Sequence, residues 1–420
     1  MNFSRKMSFA AIAASATASM FAAGGSEADK PQGFRFFDNH LVIKPYVSLA
    51  YTFDSNIDSV KHATDDSVFL VSPAADIIWT GDTWMLTGNI WYRYNYYCHY
   101  NDDMGENSYG ESLSYKWTTS KPGEKGWSAL IFERYAYTSQ SDDLGGDGRG
   151  SDNVRGVWRD RETITVSGAL ERRFNDRLHA DVSGQYRYLD YVNNTTKYYP
   201  LYGWSQYSIG LEAGYAASKW TDLLVAGGYS HYHQHGSRTT TRHYSTGSES
   251  YTVMGGVGTH ATEKIQYRLL AGASWLSYGG HSGSDCGWTY QVSGNWRITR
   301  QLQWSALGSS YYQPSERSLG SAMKVSTLST GLSYLTLGDR LTLTANIAFR
   351  HEENVYHDSI IGAASDYDTE FLSAAIGANY TLNRWMSFYG RLTYEQEWNS
   401  KHNNYEYDRF RGTLGVRFHY

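Results

Sequence analysis

Three histidines, His231, His233 and His235, recur at every second position. On an extended backbone that spacing places the imidazoles on one face, where they can hold a metal ion or line a wet rim. His351 and Glu352 are followed by His357, two residues beyond the spacing that a zinc-protease helix needs. Asp142, Asp143, Asp147 and Asp152 gather among glycines, but Asp143 to Gly148 lacks the ligand spacing and bidentate glutamate of a calcium loop. No G-x-S-x-G elbow or Walker loop occurs. We therefore expect no catalytic residues, no metal site and no cofactor. The recurring charged chemistry is basic: Arg93, Arg187, Arg268, Arg297, Arg350, Arg391, Arg409, Arg411 and Arg417, with Lys44. Guanidinium groups along a wet wall orient anionic or polar solutes, or pair with acids such as Glu395 and Glu397.

The segments carrying these arginines have strand periodicity. Leu41, Ile43, Pro45, Val47, Leu49, Tyr51 and Phe53 alternate with Lys44, Tyr46, Ser48 and Thr52, leaving one face apolar. Phe69, Val71, Pro73, Ala75, Ile77 and Trp79 repeat the pattern, and Trp84 to Tyr96 continue it after a tight Gly81-Asp82 turn. Further strands are predicted near 108–118, 127–137, 162–174, 178–190, 205–216, 220–232, 249–260, 264–278, 287–298, 301–312, 323–336, 340–351, 369–381, 385–397 and 407–420, about 18 in all. Short turns at Asn175-Asp176, Ala217-Ser218, Thr299-Arg300, Gly338-Asp339 and Leu382-Asn383 interleave with long polar loops around 54–66, 138–160, 192–204, 233–248 and 352–368. This predicts an all-β fold, a transmembrane antiparallel up-and-down β-barrel with short periplasmic turns and long extracellular loops. Trp79, Trp84, Trp220, Trp288, Trp304, Tyr334, Tyr380 and Trp385 read as a periplasmic aromatic girdle, although the parity of Trp220 fits poorly. Pro45 and Pro73, inside neighbouring strands, predict a local bulge.

Composition agrees with this reading. Of 420 residues 16% are aromatic and 19% charged, with 41 Gly against 6 Pro, as expected for dispersed apolar groups on alternating strands and not for disorder. A net charge of -5 and the absence of a Lys/Arg-rich stretch exclude a nucleic-acid footprint. Arg5 and Lys6 precede an apolar run from Phe9 to Ala23 with small residues after it, so 1–28 reads as a secretory signal peptide, 29–39 as a periplasmic lead-in and 40–420 as the barrel. Cys98 and Cys286 fall at the outer ends of strands half a circumference apart. A barrel roughly 35 Å across holds them beyond disulfide reach, which predicts free thiols.

The sequence closes Thr413-Leu414-Gly415-Val416-Arg417-Phe418-His419-Tyr420. Thr413, Gly415, Phe418 and Tyr420 match the polar-x-Gly-x-x-apolar-x-aromatic signal of barrels inserted by the barrel-assembly machinery, which is thus an expected partner beside outer-membrane lipid. Near the start, Pro45-Tyr46-Val47-Ser48, Tyr51-Thr52-Phe53-Asp54-Ser55-Asn56-Ile57 and Val71-Ser72-Pro73 resemble the opening of the beta-barrel porin 2 family. The resemblance covers some 40 residues. It implies an outer-membrane, porin-like barrel of undefined substrate, with some relatives near polysaccharide-export genes.

About 18 strands enclose an aqueous channel. The expectation is a passive or facilitated diffusion channel for small hydrophilic solutes, sugars or anions among them, in the outer membrane and not an enzyme. Lumen-side Trp91, Tyr97 and Tyr389 are candidates to stack on sugars, and the third long loop, with Asp142, Asp143, Asp147 and Asp152, resembles a porin constriction loop. A homotrimer is the assembly to test for. The rivals are a barrel component of polysaccharide export, a structural barrel and an outer-membrane barrel enzyme.

Overall fold

The computed structural model describes residues 33–57, 65–99, 107–119, 125–139, 160–191, 203–234, 246–259, 264–278, 284–314, 322–355, 368–399 and 406–420. Its strands are β1 (Phe34–Phe36), β2 (Leu41–Asp54), β3 (Asp66–Thr80), β4 (Trp84–Tyr97), β5 (Asn107–Thr118), β6 (Gly126–Ser139), β7 (Asp160–Arg173), β8 (Leu178–Tyr191), β9 (Trp204–Ala216) and β10 (Thr221–Gln234). They continue as β11 (Thr246–Thr259), β12 (Ile265–Tyr278), β13 (Ser284–Arg297), β14 (Leu302–Pro314), β15 (Ala322–Thr336), β16 (Leu341–Val355), β17 (Asp368–Asn383), β18 (Met386–Asn399) and β19 (Tyr407–His419). Strands β2 to β19 pair antiparallel in sequence order, and β19 pairs with β2, so 18 strands close the wall. Closure leaves no free edge over most of the wall, the condition for strands to cross lipid.

The alternation sorts side chains as the sequence predicts. Val47, Leu49, Tyr51 and Phe53 are exposed on the outside of β2, whereas Ser48, Ala50, Thr52 and Asp54 between them are buried inside. Outward apolar side chains such as Ile131, Val182, Ile209, Val225, Ile347 and Leu414 form a belt around the barrel. Trp79, Trp220 and Trp385 rim it at the short-turn end, and Tyr51, Tyr96, Tyr109 and Tyr207 at the loop end. Trp220 lies in the turn before β10, so strand parity does not bind it. Trp288 belongs to the other rim: it sits near the loop end of β13, and Trp296, opposite Trp304, takes the short-turn position. Two acids, Glu111 of β5 and Glu133 of β6, interrupt the outward belt.

Neither proline makes a bulge. The β2–β3 register runs unbroken through Pro45↔Ala75 and Val47↔Pro73. The Pro45 carbonyl accepts from the Tyr420 N–H, so the side of Pro45 that lacks an N–H faces the end of the β19 ladder, where little is lost. At Pro73 the pairing with β4 lapses between Val71↔Tyr94 and Ala74↔Trp91 without changing register. There the Ser72 hydroxyl donates to the Tyr92 carbonyl at 2.9 Å, supplying the donor that proline lacks. The register shift is instead at Thr381/Asn383, where β17 runs through Leu382 and Asn383 and the turn falls at residues 384–385.

The lead-in is partly ordered as a strand. Phe37, Asp38 and Asn39 take left-handed backbone angles that fold β1 back onto β2, pairing Phe34 with Ile43. Gly33 N–H then donates to the Tyr420 carbonyl at 3.1 Å, and Phe34 stacks on Tyr420 at 4.4 Å. Both described ends therefore meet at the short-turn end of the β19–β2 closure. The signal-peptide segment lies outside the described residues.

Candidate functional site

The inward faces of β18, β19 and β2 concentrate the charge. Register places Glu395 opposite Arg409 and Arg411 opposite Asp54, but the ion pairs cross this pattern. Arg409 Nε donates to both Asp54 oxygens at 2.9 and 3.0 Å, and Arg411 pairs with Glu395. The four groups form a neutral quartet, with Arg409 5% and Asp54 3% exposed. Desolvated charges survive inside a fold only when paired and hydrogen-bonded, as these are. On β16 Arg350 pairs with Glu352, and across the barrel Arg268 bridges Glu212 and Gln291. Arg268, Arg350, Arg409 and Arg411 of the arginine stripe are thus neutralised in ion pairs.

The Asp54-Ser55-Asn56 sequence shows why it marks this strand end. Asp54 holds Arg409, Ser55 N–H donates to the Phe410 carbonyl, the Ser55 hydroxyl accepts from Phe410 N–H, and Asn56 Nδ2 donates to the Asp408 carbonyl at 2.9 Å. The motif staples β2 to β19. Asp54 was the functional residue that the arginine reading passed over, although it lies in the same inward set as Lys44 and Ser48.

A second group lies along the row Ser72↔Ser48↔Arg417↔Ser387, which β4 continues at Arg93. Arg417 donates to the Ser48 hydroxyl at 3.1 Å and sits 4.7 Å from the Tyr46 ring centroid and 5.8 Å from that of Tyr389. Arg391 reaches the Thr393 hydroxyl, and Arg93 lies 5.6 Å from the Trp91 centroid. Among the described residues no acid lies within salt-bridge distance of Arg93, Arg391, Arg417 or Lys44, although Asp76 stands across from Lys44 in the ladder. This collar gathers four inward cations without an ion pair among the described residues.

The expected stacking platforms are placed differently from one another. Tyr389 lies flat over Gly415, where an added Cβ would collide with its ring, and Trp91 lies in the same way over Gly110. Each has one face covered by backbone. Tyr97 is buried against Ile57 and Val68 and offers no stacking face. Arg187 stands over Trp204 at 5.5 Å, and Arg297 is exposed at the short-turn end. Thr413 bonds Thr52 at 2.9 Å across the closure, while Phe418 and Tyr420 face outward.

Asp142, Asp143, Asp147, Asp152, His235 and His357 lie outside the described residues. His231 faces outward beside Glu249, with 3.7 Å between Nδ1 and Oε1, and His351 faces Glu370 at 3.8 Å, so neither points into the lumen. Cys98 and Cys286 are free and exposed.

No family model matches the chain, and no curated protein matches it. Solved structures similar in shape include OmpT, an outer membrane protein of Vibrio cholerae (12% identity, 92% of this chain and 99% of that one, TM-score 0.34). The FrpB iron transporter from Neisseria meningitidis is 11% identical over 84% of this chain (TM-score 0.42), which spans 62% of FrpB. The siderophore receptor PirA from Acinetobacter baumannii is 7% identical over 90% of this chain and 80% of that one (TM-score 0.43). These values name no family or activity. The closed 18-stranded wall, its outward apolar belt and its two aromatic rims make the chain an outer-membrane β-barrel.

Proposed function

We propose that the barrel is a passive diffusion channel for small hydrophilic solutes that favours anions. The observation that carries this reading is the division of the inner wall into a neutral, buried quartet toward the loop end and a collar of Lys44, Arg93, Arg391 and Arg417 without ion-pair partners among the described residues. A purely structural barrel has no use for unpaired guanidinium groups on its inside, whereas a conducting wall uses them to raise local anion concentration. The sorting Arg350 and Arg411 would give is cancelled by Glu352 and Glu395.

Planar-bilayer recording tests both parts. Stepwise conductance with an anion-leaning reversal potential in a salt gradient is expected, and a triple Arg93→Ala, Arg391→Ala, Arg417→Ala variant should move that potential to or past neutrality. A barrel that gives no open steps removes the channel reading. An unchanged reversal potential removes the collar.

A further inference from the structure

Along one arc of the wall, β6 to β10, the outer surface carries opposite charge at its two ends. Where these strands meet the short turns, three cations stand against exposed aromatic side chains. The Arg172 guanidinium lies 4.7 Å from the Trp127 ring centroid and 5.0 Å from that of Phe174. Arg177, in the turn that follows, reaches the Tyr215 hydroxyl at 3.4 Å, and Lys219 Nζ sits 5.2 Å from the Trp220 centroid. All three cations are exposed, and none makes an ion pair among the described residues. On the outward faces and turns of this end of the arc, Asp176 is the one acid among the described residues.

The loop halves of the same strands reverse the sign. Their outward charges are Glu133 on β6, Asp160 and Glu162 on β7 and Asp190 on β8. Tyrosine hydroxyls hold three of them: Tyr137 donates to Asp160 at 2.7 Å, Tyr135 to Glu162 at 2.8 Å and Tyr188 to Asp190 at 3.2 Å. No lysine or arginine among the described residues shares that surface, since Arg134, Arg161 and Arg187 take inward register positions. Between the two ends runs the apolar belt, with Ile131, Val166, Val182, Ile209 and Val225 exposed.

We propose that the turn-end arc of Arg172, Arg177 and Lys219 docks the head group of an anionic glycerophospholipid of the periplasmic leaflet. Position selects a lipid. Trp127, Phe174 and Trp220 lie just past the apolar belt, at the level where aromatic rings meet head groups, so the cations beside them face lipid phosphates. Charge selects an anionic one. A cation laid on a ring keeps donors free on its outer side, and a head group of net negative charge neutralises it, whereas a zwitterion brings an ammonium of its own. Leu178 and Leu223, exposed beside these turns, offer apolar surface to the acyl chains. The carboxylates at the loop end of the same strands repel the same head group, which confines the attraction to one leaflet. Arg384, 4.6 Å from the Trp385 centroid, repeats the unit singly half a circumference away.

The full chain, folded into vesicles of phosphatidylcholine with phosphatidylglycerol, tests the site by quenching of tryptophan fluorescence, with bromine carried near the head-group end of one lipid or the other. At equal mole fraction and low salt, brominated phosphatidylglycerol is expected to associate about fivefold more strongly than brominated phosphatidylcholine. The triple variant Arg172→Gln, Arg177→Gln, Lys219→Gln should lose that preference, and Arg172→Lys with Arg177→Lys should keep it. A second triple variant, Arg300→Gln, Arg340→Gln, Arg384→Gln, removes the same charge from other short turns and should keep the preference too. Equal quenching by the two lipids in the unaltered barrel overturns the proposal. So does an equal loss in the two triple variants, which would make the attraction a diffuse property of the turn-end charge. The substituted side chains are all exposed, so every variant is expected to give the heat-modifiable folded band on gels.

Discussion

At the scale of single residues, the strongest stake is the Asp54–Arg409 pair. Asp54→Ala leaves a guanidinium buried without its carboxylate and is expected to cost about 3–5 kcal/mol, against much less for Asp54→Ala with Arg409→Leu. Urea unfolding in detergent or lipid, followed by tryptophan fluorescence, measures the difference, and equal losses would show that the pair is not coupled. Glu133 predicts the opposite sign. It faces outward across from Leu113, within the belt, so Glu133→Leu should stabilise the barrel in bilayers by up to about 2 kcal/mol. The same unfolding assay, repeated in a lipid series, checks it. Alternation in the sequence assigned Arg409 to the inner face and passed over Asp54 and Glu133. It could not choose partners, because the pairing of Arg409 with Asp54 across the closure depends on register between segments some 350 positions apart.

At the scale of the element, glycine and proline carry information that composition hides. Gly415 lies under Tyr389, so Gly415→Val should impair folding, and Gly415→Val with Tyr389→Ala should recover it, read as the heat-modifiable folded band on gels. Ser72→Ala removes the donor that replaces the missing N–H at Pro73 and should cost about 1 kcal/mol in the unfolding assay; restoring the N–H with Pro73→Val should make the same serine change nearly neutral. The strand pattern was legible almost throughout because polar and apolar residues alternate wherever one face meets lipid. The expected bulge was not there, because Pro45 turns its missing donor to the end of the β19 ladder and at Pro73 the Ser72 hydroxyl takes the donor's place.

At the scale of the whole molecule, strand number and closure were readable from rhythm, while the partition of charge around the lumen was not. Nine arginines on inward positions read as one stripe; three-dimensional pairing divides them into groups with and without ion pairs among the described residues. The closure itself predicts an assembly phenotype. Replacing Phe418 and Tyr420 with Ser removes the contacts of Tyr420 with Phe34 and Trp385 and should reduce insertion before it alters conductance, scored as the folded fraction recovered with outer membranes. The 3.1 Å bond from Gly33 N–H to the Tyr420 carbonyl has a further meaning. A few linking residues would turn residues 33–420 into a ring, and a ring has no first strand. A circular permutant opened at the Leu337–Arg340 turn should close the same wall in vitro, with β16 leading and β15 last. Its efficiency of insertion in cells, compared with its refolding in lipid, would then measure how far assembly reads the order of the strands and how far only their neighbours.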